Sequence, residues 1–343
     1  MKDKYRKISN IISTLDFDKL LRGFKTYQFA FFTDDKAIVA DQVIDKPNSF
    51  VANSAAEFEG EMIATYIYDF IPDNDEIAVS KVVHEMLHAH QFSNPNFFDS
   101  LVGHDEKNGM LYEYSTQSVT MKYEEVKHLI NAYTTKKKEE FDLFLSIRAH
   151  REKLFPKELH YEKVTETIEG MATFVELKAL IQLNDELYVE KINELIAELE
   201  DKRNYFSVRE LSYSVGALII IVMEELGVNF NKALTGEGLL SDLCEFEKQE
   251  VNIKSYNEIK SLVKETDYLN KEKVDAFLKQ NPKEVPFDNI LGYNPMGATH
   301  FENKVLIKYL LIIEHNDQKQ TLNGDFCLII DSDDQWKTIY MNS

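Results

Sequence analysis

His84, Glu85 and His88 lie in the stretch VVHEMLHAHQ (82–91) and form an HExxH pattern. On a helix the two histidines stand one turn apart and point the same way. That spacing suits two imidazole nitrogens closing on one Zn²⁺, with Glu85 beside them as a base. At about 100° per residue, Val79, Val82, Val83, Met86 and Leu87 share an apolar face. His84, Glu85 and His88 fall on the opposite arc, so the helix is expected to bury one side and offer the other to a cleft. The plainer alternative is a polar helix face whose histidines are solvated or capped.

A catalytic zinc needs a third protein ligand and an open position for water. The run LHYEKVTETIEGMATFVELKALIQL (159–183) reads as one long amphipathic helix carrying Glu166, Glu169 and Glu176. Glu176 falls two turns after Glu169 and nearly in line with it, with Thr173 between them. Gly170 costs a helix interior about 1 kcal/mol against alanine, which points to a close approach there, such as tight packing on the HExxH helix. Glutamates at this spacing also make the solvated stripe of an ordinary surface helix. Glu176 and Thr173 are candidates to hydrogen-bond a ligating imidazole. His90 sits nearer the apolar face and reads as a core or supporting histidine, and Gln91 falls on the side where a cleft would lie. Arg148 and Arg151 suit a substrate carboxylate or a helix-surface salt bridge. His104, His128, His150, His160, His300 and His315 show no ligand spacing.

The segment EGMATFVE (169–176) resembles the EGxAxxxE segment of gluzincin metallopeptidases, in particular their aminopeptidase N-like branch. YSVGA (213–217) is similar to the YxxGA-type segment of the same branch. The three segments occur in the family's order and span residues 84–216. The resemblance implies a thermolysin-like fold, one zinc per chain and hydrolysis of peptide bonds. It assigns His84, His88 and Glu169 as zinc ligands, Glu85 as general base and Tyr213 as donor to the oxyanion. Two departures stand out. A long stretch separates His88 from Glu169, and residues of about 105–160 read as inserted helices that wall or cap the cleft. The Gly-Ala-Met-Glu-Asn motif that holds a free substrate amine is absent; NSAAEF (53–58) occupies a comparable place, with Glu57 as a loose analogue. Endo- or exopeptidase action is left open.

The elements that position these residues give an α+β fold class. A helical start (1–22) leads into short β-branched or alternating runs at 25–32, 36–44, 49–58 and 61–70, expected as strands of a small mixed sheet. The turn at 71–75 starts the HExxH helix. Helical patterns at 114–133, 137–155, 159–183, 184–200 and 207–227 form a large helical lobe, with Pro156 and Gly227 as stops. Residues 228–285 read as further short helices, and the runs at 304–315, 324–331 and 335–341 as a β-rich extension. Three units follow: 1–104 with the sheet and HExxH helix, 105–285 with the third ligand and Tyr213, and a 286–343 β module.

A net charge of −20 argues against nucleic-acid binding and favours cationic ligands over acidic ones. The apolar core SVGALIIIVM is too short to cross a bilayer, which takes about 20 apolar residues. No secretory signal is visible, and two widely separated cysteines suit reduced thiols, so a cytoplasmic protein without membrane contact is expected. The expected partner is a peptide or protein substrate, with the oligomeric state open. The alternative is a non-catalytic zinc-binding scaffold of the same type, acting as a regulator or interaction module.

Overall fold

The computed structural model describes residues 1–95, 97, 106–294, 296–331 and 335–342. It has a mixed α/β architecture, with a helical body between an N-terminal and a C-terminal sheet. The boundary expected at 104/105, His104 and residues 332–334 lie outside the described residues.

Helices α1 (Lys2–Ile12) and α2 (Phe17–Leu20) precede strands β1 (Phe29–Phe32), β2 (Lys36–Val39), β3 (Gln42–Asp45), β4 (Ser54–Phe58) and β5 (Glu61–Ile67). The sheet order is β3-β2-β1-β5-β4, with β1 and β5 parallel and the other pairs antiparallel. This is the mixed sheet expected, with one difference. The run 36–44 is a hairpin rather than one strand, turning at Ala40 and Asp41 with φ of 46° and 65°. Such a turn favours asparagine or glycine, so Ala-Asp gives no signal for it. Tertiary contacts hold it instead: the Ala40 amide donates to the Tyr5 hydroxyl (3.0 Å), and Arg6 grips the Asp41 carboxylate (2.8 and 2.7 Å).

Helix α3 (Asp75–Phe92) carries HExxH. The Asn74 side chain caps it by accepting from the Ile77 amide (2.9 Å). Asp75 in its first turn pairs with Lys4 (2.9 Å) and with Lys7. It packs against β4, β5 and α1.

The helical body runs α4 (Glu106–Met110), α5 (Thr116–Thr135), α6 (Lys138–Leu154), α7 (Pro156–Thr165), α8 (Met171–Leu183), α9 (Asp185–Glu200), α10 (Val208–Glu225), α11 (Asn231–Leu234) and α12 (Asn257–Leu278). Pro156 opens α7 from the first turn, where its missing N–H costs nothing. Gly227, at φ 71°, follows the end of α10. Region 228–285 corrects the expectation of short helices only, because α12 is one 22-residue helix. Its few buried apolar residues, Ile259, Val263, Val274 and Phe277, are thinly spread in a polar sequence.

The run 159–183 is not one regular α-helix. Between α7 and α8, Glu166–Gly170 form a π-helical turn. Gly170 and Gly216 of α10 meet backbone to backbone there. A Cβ on Gly170 would stand 2.5 Å from the Gly216 Cα. The close approach read from Gly170 is therefore real, but it is made to α10 and not to the HExxH helix. Glu166, at the start of the turn, is tied down from behind. Arg148 of α6 binds Glu166 (2.8 Å) and Glu125 of α5 (2.7 and 2.9 Å). Arg151 binds Glu125 (2.7 Å) and Glu162 of α7 (2.6 and 3.0 Å), and Lys122 of α5 lies 3.4 Å from Glu162. All these side chains are buried. Arg148 and Arg151 are thus neither surface salt bridges nor substrate contacts. They form a multiply bonded interior network, the kind of geometry a buried charge needs to offset its lost hydration.

The C-terminal sheet comprises β6 (Lys283–Val285), β7 (Asn289–Tyr293), β8 (Thr299–Phe301), β9 (Lys304–His315), β10 (Gln318–Ile330) and β11 (Trp336–Met341), in the order β6-β11-β10-β9-β7 with β8 paired to β9. Its core, including Val305, Ile307, Phe326 and Ile339, also takes in Met110 of α4, so the module is docked on the helical body. Among the described residues no helix is long and apolar enough to cross a membrane.

The glycine crossing makes a direct prediction. A Cβ at Gly216 would lie 2.4 Å from the Glu166 carbonyl oxygen and 2.8 Å from the Gly170 Cα, both backbone atoms that yield poorly. Gly216→Ala should cost about 1–3 kcal/mol from overpacking, despite alanine's better helix propensity. The readout is a lower urea midpoint at unchanged slope. An unchanged midpoint contradicts the crossing.

Candidate metal centre

Helix α3 is buried nearly all round. His84, Glu85 and His88 are only 8, 8 and 5 % exposed, because α8 packs on the same arc; His84 and Glu85 still line a cleft, as the helix spacing led one to expect. One ligand atom from each of the three lies within 4.8 Å of the others, so this buried His-Glu-His group could hold a metal ion.

The π-helical turn adds Glu169. Its Oε2 stands 3.2 Å from His88 Nε2 and 3.8 Å from His84 Nε2. Donors of a tetrahedral zinc with bonds of 2.0–2.1 Å lie about 3.3 Å apart, a separation that the His88–Glu169 pair meets and the His84–Glu169 pair exceeds by about half an ångström. Two imidazoles and a carboxylate are also the donor types zinc takes in sites that keep a position open. The two nearby carboxylates differ in how they are held. Glu169 Oε1 accepts a hydrogen bond from Arg209 Nη2 (2.9 Å), which leaves Oε2 for the histidines. Glu85 has no hydrogen-bond partner among the described residues and lines the adjacent cleft.

The outer imidazole nitrogens are anchored separately. His84 Nδ1 lies 3.2 Å from Glu176 Oε2, and Glu176 Oε1 lies 2.8 Å from Lys81 Nζ. His88 Nδ1 lies 2.9 Å from Gln91 Oε1, while Gln91 Nε2 donates to the Ile168 carbonyl inside the π-helical turn (3.1 Å). With protons on both Nδ1 atoms, both Nε2 lone pairs face Glu169, the arrangement in which an acceptor behind each ring fixes its tautomer.

The electrostatics call for positive charge here. Burial works against a charged His84, yet hydrogen bonds to Glu169 and Glu176 outweigh it and push its pKa up to about 10. Burial likewise opposes ionisation of Glu169, but the charge of His88 and hydrogen bonds to both histidines hold it well below the usual carboxylate range. Burial opposes Glu176 too, and the Lys81 charge followed by His84 brings it down to about 2. A dication meets the same demand with both imidazoles neutral, releasing protons as it binds.

Tyr213 of α10 stacks on the His84 ring (centroids 6.3 Å apart, planes at 26°). Burial, then the Glu169 charge, raises its pKa well above the ordinary tyrosine value, so the hydroxyl keeps its proton.

The structure thus brings His84, Glu85, His88, Glu169, Glu176 and Tyr213 together. The solvated-stripe alternative fails for Glu166, Glu169 and Glu176, all of which are buried. Thr173 lines the cleft, but its Oγ1 has no hydrogen-bond partner among the described residues, so it does not support an imidazole as expected. His90 is directed away, its Nδ1 3.2 Å from the Tyr27 hydroxyl and its ring edge-on to Phe24. Glu57 is exposed on β4, and the cleft is reached instead by Asn53. Gln91 is a buried clamp rather than a cleft residue. Lys81 and Arg209 were missed. Their signal was helical spacing, one turn before His84 and one turn before Tyr213.

The cleft has a volume of about 470 Å³ and is walled by α3, α8, α9 and α10, with Met296 of the C-terminal module at its edge. Among the described residues, 105–160 contribute nothing to its lining. The inserted helices therefore do not wall the cleft; their charged residues pack behind Glu166. Comparisons with protein-family models, with curated proteins and with solved structures find no match for this chain.

Gln91 offers a test of the anchoring. Gln91→Leu keeps the bulk but leaves His88 Nδ1 without its acceptor, and should weaken zinc binding about 10–100-fold. Competition with a chromophoric chelator measures this, with circular dichroism to check the fold. Wild-type affinity in the variant contradicts the anchoring role.

Proposed function

We propose that the chain is a zinc-dependent hydrolase of peptide bonds, of the gluzincin type and with a thermolysin-like catalytic core. The observation that carries the reading is the convergence of His84 Nε2 and His88 Nε2 on Glu169 Oε2, with each ring anchored from behind. His84, His88 and Glu169 would hold the ion. When bound, zinc supplies Lewis acidity and lowers the pKa of water toward about 7.

Glu85 lines the cleft without a competing hydrogen bond, which suits a general base. It accepts the proton of the attacking water as the water oxygen bonds to the scissile carbonyl carbon. It returns that proton to the amide nitrogen as the C–N bond breaks. Tyr213, kept protonated, donates a hydrogen bond to the oxygen on which charge develops, worth about 2.7–4 kcal/mol for one such donor. Arg209 and Gln91 act on geometry: one turns Glu169, and the other ties α3 to the π-helical turn.

Cleavage of an unbiased peptide mixture, abolished by a chelator and restored by zinc, tests the activity. Glu85→Gln should retain zinc and lose turnover by about 10²-fold or more. Tyr213→Phe should retain zinc and lower the rate by about 10²–10³-fold. Full activity in Glu85→Gln contradicts the mechanism, and an unchanged rate in Tyr213→Phe removes the tyrosine from it. A wild-type chain that binds zinc but cleaves no peptide of any length leaves the non-catalytic scaffold as the function.

A further inference from the structure

The charges on the cleft wall are not balanced. Glu176 is matched by Lys81 (2.8 Å) and Glu194 by Lys191 (2.6 Å). Glu198 of α9 and Glu210 of α10 also line the cleft, and neither has a cationic partner among the described residues. Both are half-buried, so water screens them less than surface carboxylates. They share the cleft's lining with His84, Glu85 and Tyr213. Glu198 accepts a hydrogen bond from the Ser214 hydroxyl (2.8 Å), next in sequence to Tyr213, and Glu210 lies one helical turn before Tyr213. A second observation directs a ligand to the same place. Glu85 is 8 % exposed, lines this cleft and has no hydrogen-bond partner among the described residues, so its carboxylate is directed to whatever occupies the cleft.

We infer that Glu198 and Glu210 select substrates carrying a primary ammonium or guanidinium group close to the scissile bond. The inference rests on the hydrolase reading and names its substrate class. The cation completes a charge balance that the wall leaves open, and Leu177 and Leu195 in the same lining offer apolar surface to the stem of a lysine or arginine. The chain's net charge of −20 favours the approach of such substrates to the protein.

The test is a binding measurement on the full-length Glu85→Gln chain loaded with zinc, so that bound peptide is not consumed. Isothermal calorimetry compares N-acetylated alanine peptides bearing one lysine, moved through each position, with the same peptides bearing norleucine. A second arm compares acetylated with free-amine alanine peptides and so separates a side-chain cation from an N-terminal one. In at least one arm the cationic member should bind about tenfold more tightly, and adding Glu198→Gln and Glu210→Gln should bring the ratio close to one. No cationic advantage in either arm, or an advantage that survives both substitutions, overturns the inference. Absence of cleavage by the wild-type chain with the charge preference intact contradicts the hydrolase reading alone.

Discussion

The contact of Gly170 with Gly216 is the constraint on which the site depends. Two backbones meet there with no room for a Cβ on either side. Only at that separation do the π-helical turn and α10 bring Glu169, Arg209 and Tyr213 to one place. The π geometry matters as much as the distance. It adds a residue to the turn that carries Glu169 and sets the Ile168 carbonyl where Gln91 of α3 bonds it. The turn is thereby fixed by α10 on one side and by the HExxH helix on the other. Strained or widened helical turns of this kind recur at functional sites because they re-aim a side chain that a regular helix would direct elsewhere.

Behind the turn, the ionic network of Lys122, Glu125, Arg148, Arg151, Glu162 and Glu166 gives α5, α6 and α7 a fixed register. Removing one member of such a network leaves another charge buried and unpaired, which costs about 3–5 kcal/mol. The helices between the HExxH segment and the third carboxylate thus act as a rigid back wall for Glu166 and, through it, Glu169. They leave the cleft to α8, α9 and α10. The cleft's chemistry is in turn set by three carboxylates around two imidazoles; Lys81 matches Glu176 and Arg209 matches Glu169, which leaves Glu85 as the carboxylate that a cation at the centre would balance.

The local parts of this site were legible in the sequence because they obey helical spacing. His84 and His88 are four apart, Glu169 and Glu176 seven apart, and both pairs fall on one face. Glu176 could be offered as an acceptor behind a ligating imidazole for that reason, though not assigned to His84, and Thr173, offered beside it, has no such role. What was illegible is long-range or set by tertiary contacts. Arg148 and Arg151 resemble surface residues on an amphipathic helix, and only packing shows that Glu125 and Glu162 meet them in the interior. Gly170 announced a close approach without naming its partner, since Gly216 lies on a helix whose orientation the sequence does not specify. The hairpin at Ala40-Asp41 breaks turn preference outright and exists because Tyr5 and Arg6 hold it. Helix α12 was hidden by its own polarity.

If His84, His88 and Glu169 together hold one zinc ion, the metal content of the purified chain depends on all three. The purified wild-type chain and Glu169→Ala would be measured side by side after zinc addition and desalting. About one zinc per wild-type chain is expected, with a large loss in the variant. Full zinc content in the variant would remove Glu169 from the ligand set. No zinc in the wild type would contradict the centre itself.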